Sequence, residues 1–233
     1  MNTDIQHDTE GFRARYRAGI GRRYSAWLHG GFVLAFGAAV IALLIVRIEN
    51  PRAWEWLAIP IGLVVFNWGE YTVHRHLGHH KHRLSALFYR RHTGDHHSFF
   101  VETRMRYEQA PDWRVIFFPA WLVVVYSAAV VTPAYLILLP VNPNLAALFG
   151  ATLLAGYLSY EIFHACEHLP DDHRLAKLPW IRHMRQLHRL HHRRTLMQSR
   201  NFNIVFPLMD WLHGTLHWEA EERGEPPTRM PSE

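Results

Sequence analysis

Long apolar runs alternate along this chain with segments rich in arginine and histidine, and this alternation constrains the fold more than any other feature. A helix of roughly 20 apolar residues crosses a bilayer. Pro119 and Pro133 lie within the third run and predict a kink there. The apolar runs predict an all-α integral membrane protein with four transmembrane helices, at 27–48, 54–73, 115–139 and 145–163.

Lysine and arginine lie almost entirely on one side of this predicted topology. An even number of spans leaves both termini and the loop 74–114 on the same side, and these segments hold 23 of the 25 basic residues. The positive-inside rule assigns that side to the cytoplasm, which in a bacterium means the inner membrane. The pI near 9.6 therefore needs no nucleic-acid partner, and we expect none. The single cysteine, Cys166, excludes an internal disulfide.

The same pattern predicts three parts of the chain. A cytosolic leader covers residues 1–26, a membrane domain covers 27–217, and a polar tail covers 218–233. The first apolar run follows a polar, arginine-bearing leader and is long enough to remain as an anchor, so no cleavable signal peptide is expected.

Fifteen of the 19 histidines fall in two blocks, eight in the loop 74–114 and seven at 164–192, directly after the fourth span. Neutral imidazole binds iron, zinc, copper and nickel, so spacing decides which rings can share an ion. His164 and His168 are four residues apart, which places both rings on one face of a helix. His92 and His96 have the same spacing, whereas the adjacent His97 points elsewhere and could reach a second ion.

For the remaining candidate ligands, the spacing assigns one set to a single helix face and leaves the other set open. His188, His191 and His192 share one helix face at spacings of three and four. His74 and His79 are five apart, which fits a regular helix poorly. Either the helix is distorted there, or His76 with His80 takes the role.

The number of imidazoles indicates two metal ions rather than one. A zinc site is satisfied by three or four protein ligands, and here ten candidates converge on one side of the membrane. Imidazole-rich non-haem iron sites with open positions activate oxygen for attack on C–H bonds. We therefore predict a histidine-rich dimetal site holding two iron ions, for which zinc could substitute in a purified sample.

Four histidine boxes stand in order: HRHLGH at 74–79, HTGDHH at 92–97, HACEH at 164–168 and HRLHH at 188–192. In this order they resemble the boxes of the fatty acid hydroxylase and sterol desaturase superfamily. The flanking segments EYTVHRHLGH, DWRVIFFP, GYLSYEIFHACEH and NFNIVFPLMDWLHGTLH are similar to those of fatty acid 2-hydroxylases. The resemblance runs from about residue 70 to residue 217.

This resemblance implies a membrane-bound di-iron monooxygenase that hydroxylates a lipid, in particular a fatty acyl chain, with O2. It also implies a cytosolic helical cap that carries the histidine-rich dimetal site. The second box departs from the family pattern, because three residues rather than two separate His92 from the histidine pair. No fused haem domain fits in the leader, so electrons are expected from a separate cytochrome b5-like or ferredoxin-type donor. The implied metal ligands are His74, His79, His92, His96, His97, His164, His168, His188, His191 and His192.

Residues around the boxes have weaker assignments. Carboxylates near the boxes can orient imidazoles by accepting the second ring N–H, and by position these are Asp95, Glu161, Glu167 and Asp210. Tyr71 and Tyr160 either line the substrate path or pack at the interface. The isolated histidines, His7, His29, His213 and His217, are expected to lie outside the site.

Other activities remain compatible with the sequence. A desaturase or oxidase of the same superfamily would use the same ligands, and spacing does not separate these outcomes from hydroxylation. A metal transporter would need ionisable groups near the middle of the spans, which are almost absent. A zinc-dependent membrane hydrolase would need a carboxylate base beside the metal, and HACEH is not the HExxH motif.

Overall fold

A computed structural model describes residues 8–83 and 85–219. Within these residues all regular structure is helical, and the only β pairing is an isolated bridge between Val101 and Arg104. The all-α prediction is therefore confirmed for the described part of the chain. The predicted tail, apart from its first two residues, and the first seven residues of the leader lie outside the described residues.

The helices fall into long apolar ones and short ones that carry the polar segments. In chain order the α-helices of the described residues are α1 (Thr9–Ala18), α2 (Ala26–Ile45), α3 (Ala58–Thr72), α4 (Ala86–Tyr89), α5 (His97–Phe99), α6 (Trp113–Ile116), α7 (Leu122–Tyr126), α8 (Thr132–Leu138), α9 (Pro143–Glu167), α10 (Pro179–His191) and α11 (Leu208–Leu212). Three π-helical segments continue these helices: π1 (Val73–Gly78), π2 (Arg90–His96) and π3 (Ser127–Val131). Short 3-10 turns cover Ala53–Leu57, Ala110–Asp112 and Leu175–Lys177.

Among the described residues, two helices, α2 and α9, are long and apolar enough to cross a membrane. The Ser25 hydroxyl caps α2 by accepting a hydrogen bond from the Leu28 amide. Large apolar side chains of α2, such as Leu28 and Leu43, are exposed on its outer face. An exposed apolar belt of this kind is expected where the solvent is lipid. These two helices indicate a membrane protein.

The other two predicted spans are shorter than expected. Helix α3 has 15 residues, and the third apolar helix runs over Leu122–Leu138 rather than 115–139. Pro119 precedes this helix instead of kinking it, because the chain is extended between α6 and α7. Pro133 lies in the first turn of α8, directly after π3, where its missing N–H breaks the regular ladder. The kink predicted there corresponds to this π-helical segment.

Helix α9 lies at the centre, and α2, α3 and α8 pack against it. Two glycines bring α3 and α9 close together. A Cβ on Gly156 would meet the Phe66 ring at 2.4 Å, and one on Gly62 would meet Thr152 at 2.9 Å. This close approach brings the polar ends of both helices together, so that the segments that follow them meet in one place.

Helix α1 packs against α5 and is held by the 3-10 turn Ala110–Asp112. The Arg13 side chain is fully buried, stacks 4.6 Å from the Phe99 ring centroid, and donates to the Arg106 carbonyl at 3.0 Å. Arg17 donates to both carboxylate oxygens of Asp112, at 2.8 and 2.7 Å. These contacts hold the segment that carries Phe99 and Phe100 against α1.

Candidate metal centre

All ten histidines proposed as ligands are buried, with at most 4% of their surface exposed. The Nε2 atom of each one lies within 3.1 Å of the Nε2 atom of another. The rings come from π1 and π2, from the ends of α9 and α10, and from the residues immediately after them. The two blocks of the sequence therefore meet at a single point.

Nine of these rings fall into two groups, and within each group the ligand atoms lie within 4.8 Å of one another. We call them the first group and the second group. The tenth ring, His164, adjoins the second group, with its Nε2 3.1 Å from that of His96. The first group contains His74, His79, His92, His97 and His191, and the second contains His96, His168, His188 and His192.

The π-helical segments explain why histidines five residues apart lie in the same group. In a π-helix the turn closes at i+5 rather than i+4, so residues five apart share a face. His74 and His79 therefore both enter the first group, and His76 and His80 are exposed. The sequence-based pairing of His92 with His96 is wrong: π2 sends His92 with His97 into the first group and His96 into the second.

The third and fourth boxes follow regular helical spacing. His164 and His168 lie at the C-terminal end of α9, and both rings reach the second group or its edge. In the fourth box the shared face predicted for all three histidines divides between the two groups. His188 and His192 join the second group, whereas His191 reaches the first, 2.9 Å from His79.

Backbone carbonyls fix the orientation of half of the rings. The Nδ1 atom of His96 donates to the Val115 carbonyl at 3.0 Å, and that of His192 donates to the Phe100 carbonyl at 2.8 Å. The same contact is made by His74 with Phe202, by His168 with Met105 at 2.7 Å, and by His191 with Arg200 at 2.8 Å. Such outer partners select the ring tautomer and hold its plane.

The tautomers leave lone pairs facing one another. Because a carbonyl oxygen only accepts, the ring proton of His96 and of His192 must lie on Nδ1, and each Nε2 keeps its lone pair. These two Nε2 atoms are 3.1 Å apart. Two lone pairs repel at that distance unless a cation lies between them. The same conflict arises around His92, whose single Nε2 has the Nε2 atoms of His74, His79 and His97 within 3.1 Å.

The separations match those of a metal's coordination shell. Two nitrogens bound at about 2.1 Å and at a right angle to each other lie about 3.0 Å apart. The Nε2–Nε2 contacts of the two groups range from 2.8 to 3.1 Å. Burial also lowers the pKa of His79, His97, His188 and His191 well below the ordinary value for histidine. The rings are thus neutral, which is the form that binds a metal.

The carboxylates predicted to orient the rings mostly have other partners. Asp95 pairs with Arg91 at 3.1 Å, and Glu161 accepts from the Tyr157 hydroxyl at 2.9 Å. Glu167 alone lies near a ring nitrogen, with Oε2 3.6 Å from Nδ1 of His188. The direct role predicted for Asp95 and Glu161 is therefore not seen in this arrangement, because carbonyls occupy that position.

Asp210 acts one step further from the site. It accepts from the amides of Phe202 and Asn203 at 2.9 and 2.7 Å, and from the Thr215 hydroxyl at 2.7 Å. These bonds hold the turn whose Phe202 carbonyl receives the ring proton of His74. Asp210 therefore supports the first group through the backbone.

Glu70 has a similar role, and the sequence-based assignment missed it. This buried carboxylate of α3 accepts from the Ile204 amide at 2.7 Å, the Val205 amide at 3.2 Å and the Asn203 side chain at 3.0 Å. It therefore joins the C-terminal end of α3, which leads into π1, to the turn that supports His74. A charge at the end of an apolar span was the only available signal, and such a residue is a functional candidate by default.

A small cavity of about 10 Å³ lies beside the centre, lined by Arg91, by Val115 to Phe118 of the α6 segment and by His92, His96 and His164. Tyr160 is buried, with its ring 5.6 Å from that of Phe118 and 5.5 Å from that of His164. Tyr71 instead stacks on His213, 4.6 Å away. Of the isolated histidines, His29, His213 and His217 belong to neither group, and His7 lies outside the described residues.

Gly78 leaves room for two rings of the first group. A Cβ at this position would lie 3.0 Å from the His92 ring and 3.4 Å from the His74 ring. We expect Gly78→Ala to displace these rings and to lower the metal content of the first group by half or more, as measured by elemental analysis of the purified protein. The matched control is Gly69→Ala, where nothing lies within 4 Å of the added Cβ. Equal metal content in both variants would contradict the geometry.

An all-helical fold with candidate membrane helices and ten converging imidazoles is typical of membrane-bound metalloproteins. The chain matches the fatty acid hydroxylase family model over residues 59–215, more than half of its length. It therefore belongs to the fatty acid hydroxylase family, as the histidine boxes indicated, and this membership suggests an oxidoreductase. Curated proteins and solved structures gave no match.

Proposed function

We propose that this chain is a membrane-bound non-haem di-iron monooxygenase that hydroxylates a lipid, in particular a fatty acyl chain, with O2 and electrons supplied from outside. The observation that carries the proposal is the pair of buried imidazole groups. One ion would have five rings, and the other would have four, with His164 adjoining. Together these rings exceed what a single zinc site uses. Two bound iron ions would supply the oxygen activation that no amino-acid side chain provides.

The protein's own residues would hold and orient the reactants. The carbonyls of Phe100, Met105 and Val115 fix rings of the second group with their Nε2 atoms turned inward. The apolar segment from Val115 to Phe118 would exclude water and receive the acyl chain. In this proposal Tyr160 lies on the path of the acyl chain, because its ring stacks against Phe118 and lies beside His164.

The proposal includes the topology and the partners. Helices α2, α3, α7 to α8, and α9 form four spans within the membrane domain 27–217, and the cap, the leader and the tail 218–233 face the cytoplasm. The distribution of basic residues supports this orientation. The partners are a lipid, O2, the membrane and a separate electron donor of cytochrome b5 or ferredoxin type, without nucleic acid.

The rival classes are less well supported by the geometry. A transporter would bind its metal near the middle of broken spans, whereas these rings lie at the ends of helices and in the cap. A zinc hydrolase would need a carboxylate facing the metal, whereas the nearest one, Glu167, lies on the outer Nδ1 side of His188. Both alternatives therefore fit the arrangement less closely than an oxygenase.

The test is oxidation by the purified protein after anaerobic loading with iron. The chemically reduced protein in bilayers of defined lipids is exposed to 18O2, and the lipids are examined by mass spectrometry. A lipid that gains one 18O atom supports hydroxylation, whereas a loss of two hydrogens without added oxygen would assign a desaturase. Oxygen-independent hydrolysis or metal flux would overturn the oxygenase proposal. Lipid profiles of cells with and without the gene then identify the natural substrate.

A further inference from the structure

A second cavity, separate from the small one beside Val115 to Phe118, opens on the cap. It is a cleft of about 780 Å³ between the segment 102–106, the segment 171–177 and α10. Six of the side chains that line it are cationic: Arg104, Arg106, Lys177, Arg182, Arg185 and Arg189. Three carboxylates, those of Glu102, Glu167 and Asp171, also line it, so the cleft has a net positive charge.

The charges of the cleft divide into paired and open ones. Arg185 is held by the carbonyls of Glu167 and Leu169 and by Asp171, at distances of 2.8 to 3.2 Å. Arg104 pairs with Glu108 at 2.5 Å. In contrast, Arg106 and Lys177 are exposed at the rim. These two cations can attract a negatively charged partner without breaking an internal contact.

The floor of this cleft reaches the metal centre. Met105 lines the cleft, and its carbonyl accepts the ring proton of His168 at 2.7 Å. Glu167 also lines the cleft, and its Oε2 lies 3.6 Å from Nδ1 of His188. Two rings of the second group are therefore one contact away from the cleft. The small cavity beside Val115 to Phe118 is lined by different rings, those of His92, His96 and His164.

Hydroxylation requires a separate entry for electrons. One turnover converts R–H, O2, two electrons and two protons into R–OH and H2O. The C–H bond supplies two of the four electrons that reduce O2, and an external reductant must supply the other two. In the proposed function the acyl chain approaches from the side of Val115 to Phe118, so the reductant needs another approach to the metal ions.

We propose that the basic cleft docks an acidic, one-electron transfer protein, and that electrons enter the second group through the Met105–His168 contact. This inference rests on the proposed function. A cationic surface steers an acidic partner and raises its rate of association.

The experiment measures donor binding in nanodiscs of phosphatidylcholine, which exclude anionic lipid as the ligand. The probes are an acidic ferredoxin and a soluble cytochrome b5 domain, each titrated at low and at moderate ionic strength. We expect Arg106→Glu/Lys177→Glu to weaken binding of at least one probe by about tenfold at low salt. Added salt should weaken binding to the unaltered protein and reduce the difference between the two proteins.

The matched control is Arg22→Glu/Arg23→Glu, which reverses two exposed charges of the leader outside the cleft. Binding should be unchanged in this variant. A single turnover started with dithionite should give the same product yield in the cleft variant as in the unaltered protein. The docking proposal would be overturned if neither probe binds, or if the cleft variant and the control variant bind the probes equally. It would also be overturned if the cleft variant loses as much product yield in the dithionite reaction as it loses in probe binding. Absence of product from the unaltered, dithionite-reduced protein would instead contradict the proposed function, and the binding data would still decide the docking site.

Discussion

Replacing His168 with alanine is expected to abolish lipid oxidation while the protein still inserts into the membrane. His168 is fully buried, its Nε2 lies 3.1 Å from that of His188, and its other ring nitrogen donates to the Met105 carbonyl. Removal of one ring opens the second group to water and lowers its affinity for metal. We expect the metal content to fall from two ions per chain toward one, and turnover to fall by at least about a thousandfold, since loss of a reacting unit costs several kcal/mol.

The control for this prediction is His76→Ala, which removes an exposed histidine of the first box. It should retain both ions and full turnover. Metal content by elemental analysis, turnover by product formation and insertion by fractionation are measured on both variants. Substantial activity in His168→Ala, or an equal loss in His76→Ala, would contradict the assignment.

Glu70→Ala is expected to have the largest effect on stability. The carboxylate accepts hydrogen bonds from the amides of Ile204 and Val205 and from the side chains of Asn67 and Asn203. Their loss would leave buried donors without acceptors, which costs about 3–5 kcal/mol in the free energy of unfolding. Because the same turn carries the Phe202 carbonyl that orients His74, the first group should also lose metal.

The measurement for Glu70→Ala is the midpoint of denaturation in detergent, together with metal content. Glu10→Ala provides the control, because the Glu10 carboxylate is 62% exposed and pairs only at the surface with Arg104. An exposed pair is worth at most about 1 kcal/mol. If both variants denature at the same midpoint, the role given to Glu70 is wrong.

The sequence predicted those parts of this protein that depend on simple periodicity. Apolar length identified α2 and α9, and the spacing of four residues placed His164 and His168 on the same side of α9. Family resemblance supplied the ten histidines as a set. Each of these features follows from local composition or from an ordered motif, without knowledge of how distant segments pack.

The sequence could not predict features that depend on backbone irregularity or on distant carbonyls. Regular helical spacing paired His92 with His96, but π2 changes the turn and sends them to different groups. The ring partners are main-chain carbonyls, which any residue type supplies, so no side chain marked them in advance. Glu70 acts on a turn more than 130 residues away, and only the folded chain brings them together.

The central claim is that the two imidazole groups each hold an iron ion. The most direct measurement is X-ray absorption and anomalous scattering at the iron edge on protein loaded anaerobically with iron. The account predicts two ions per chain, one in each group, with nitrogen ligands at about 2.1 Å. A single ion, or ions bound outside the ten histidines, would contradict it.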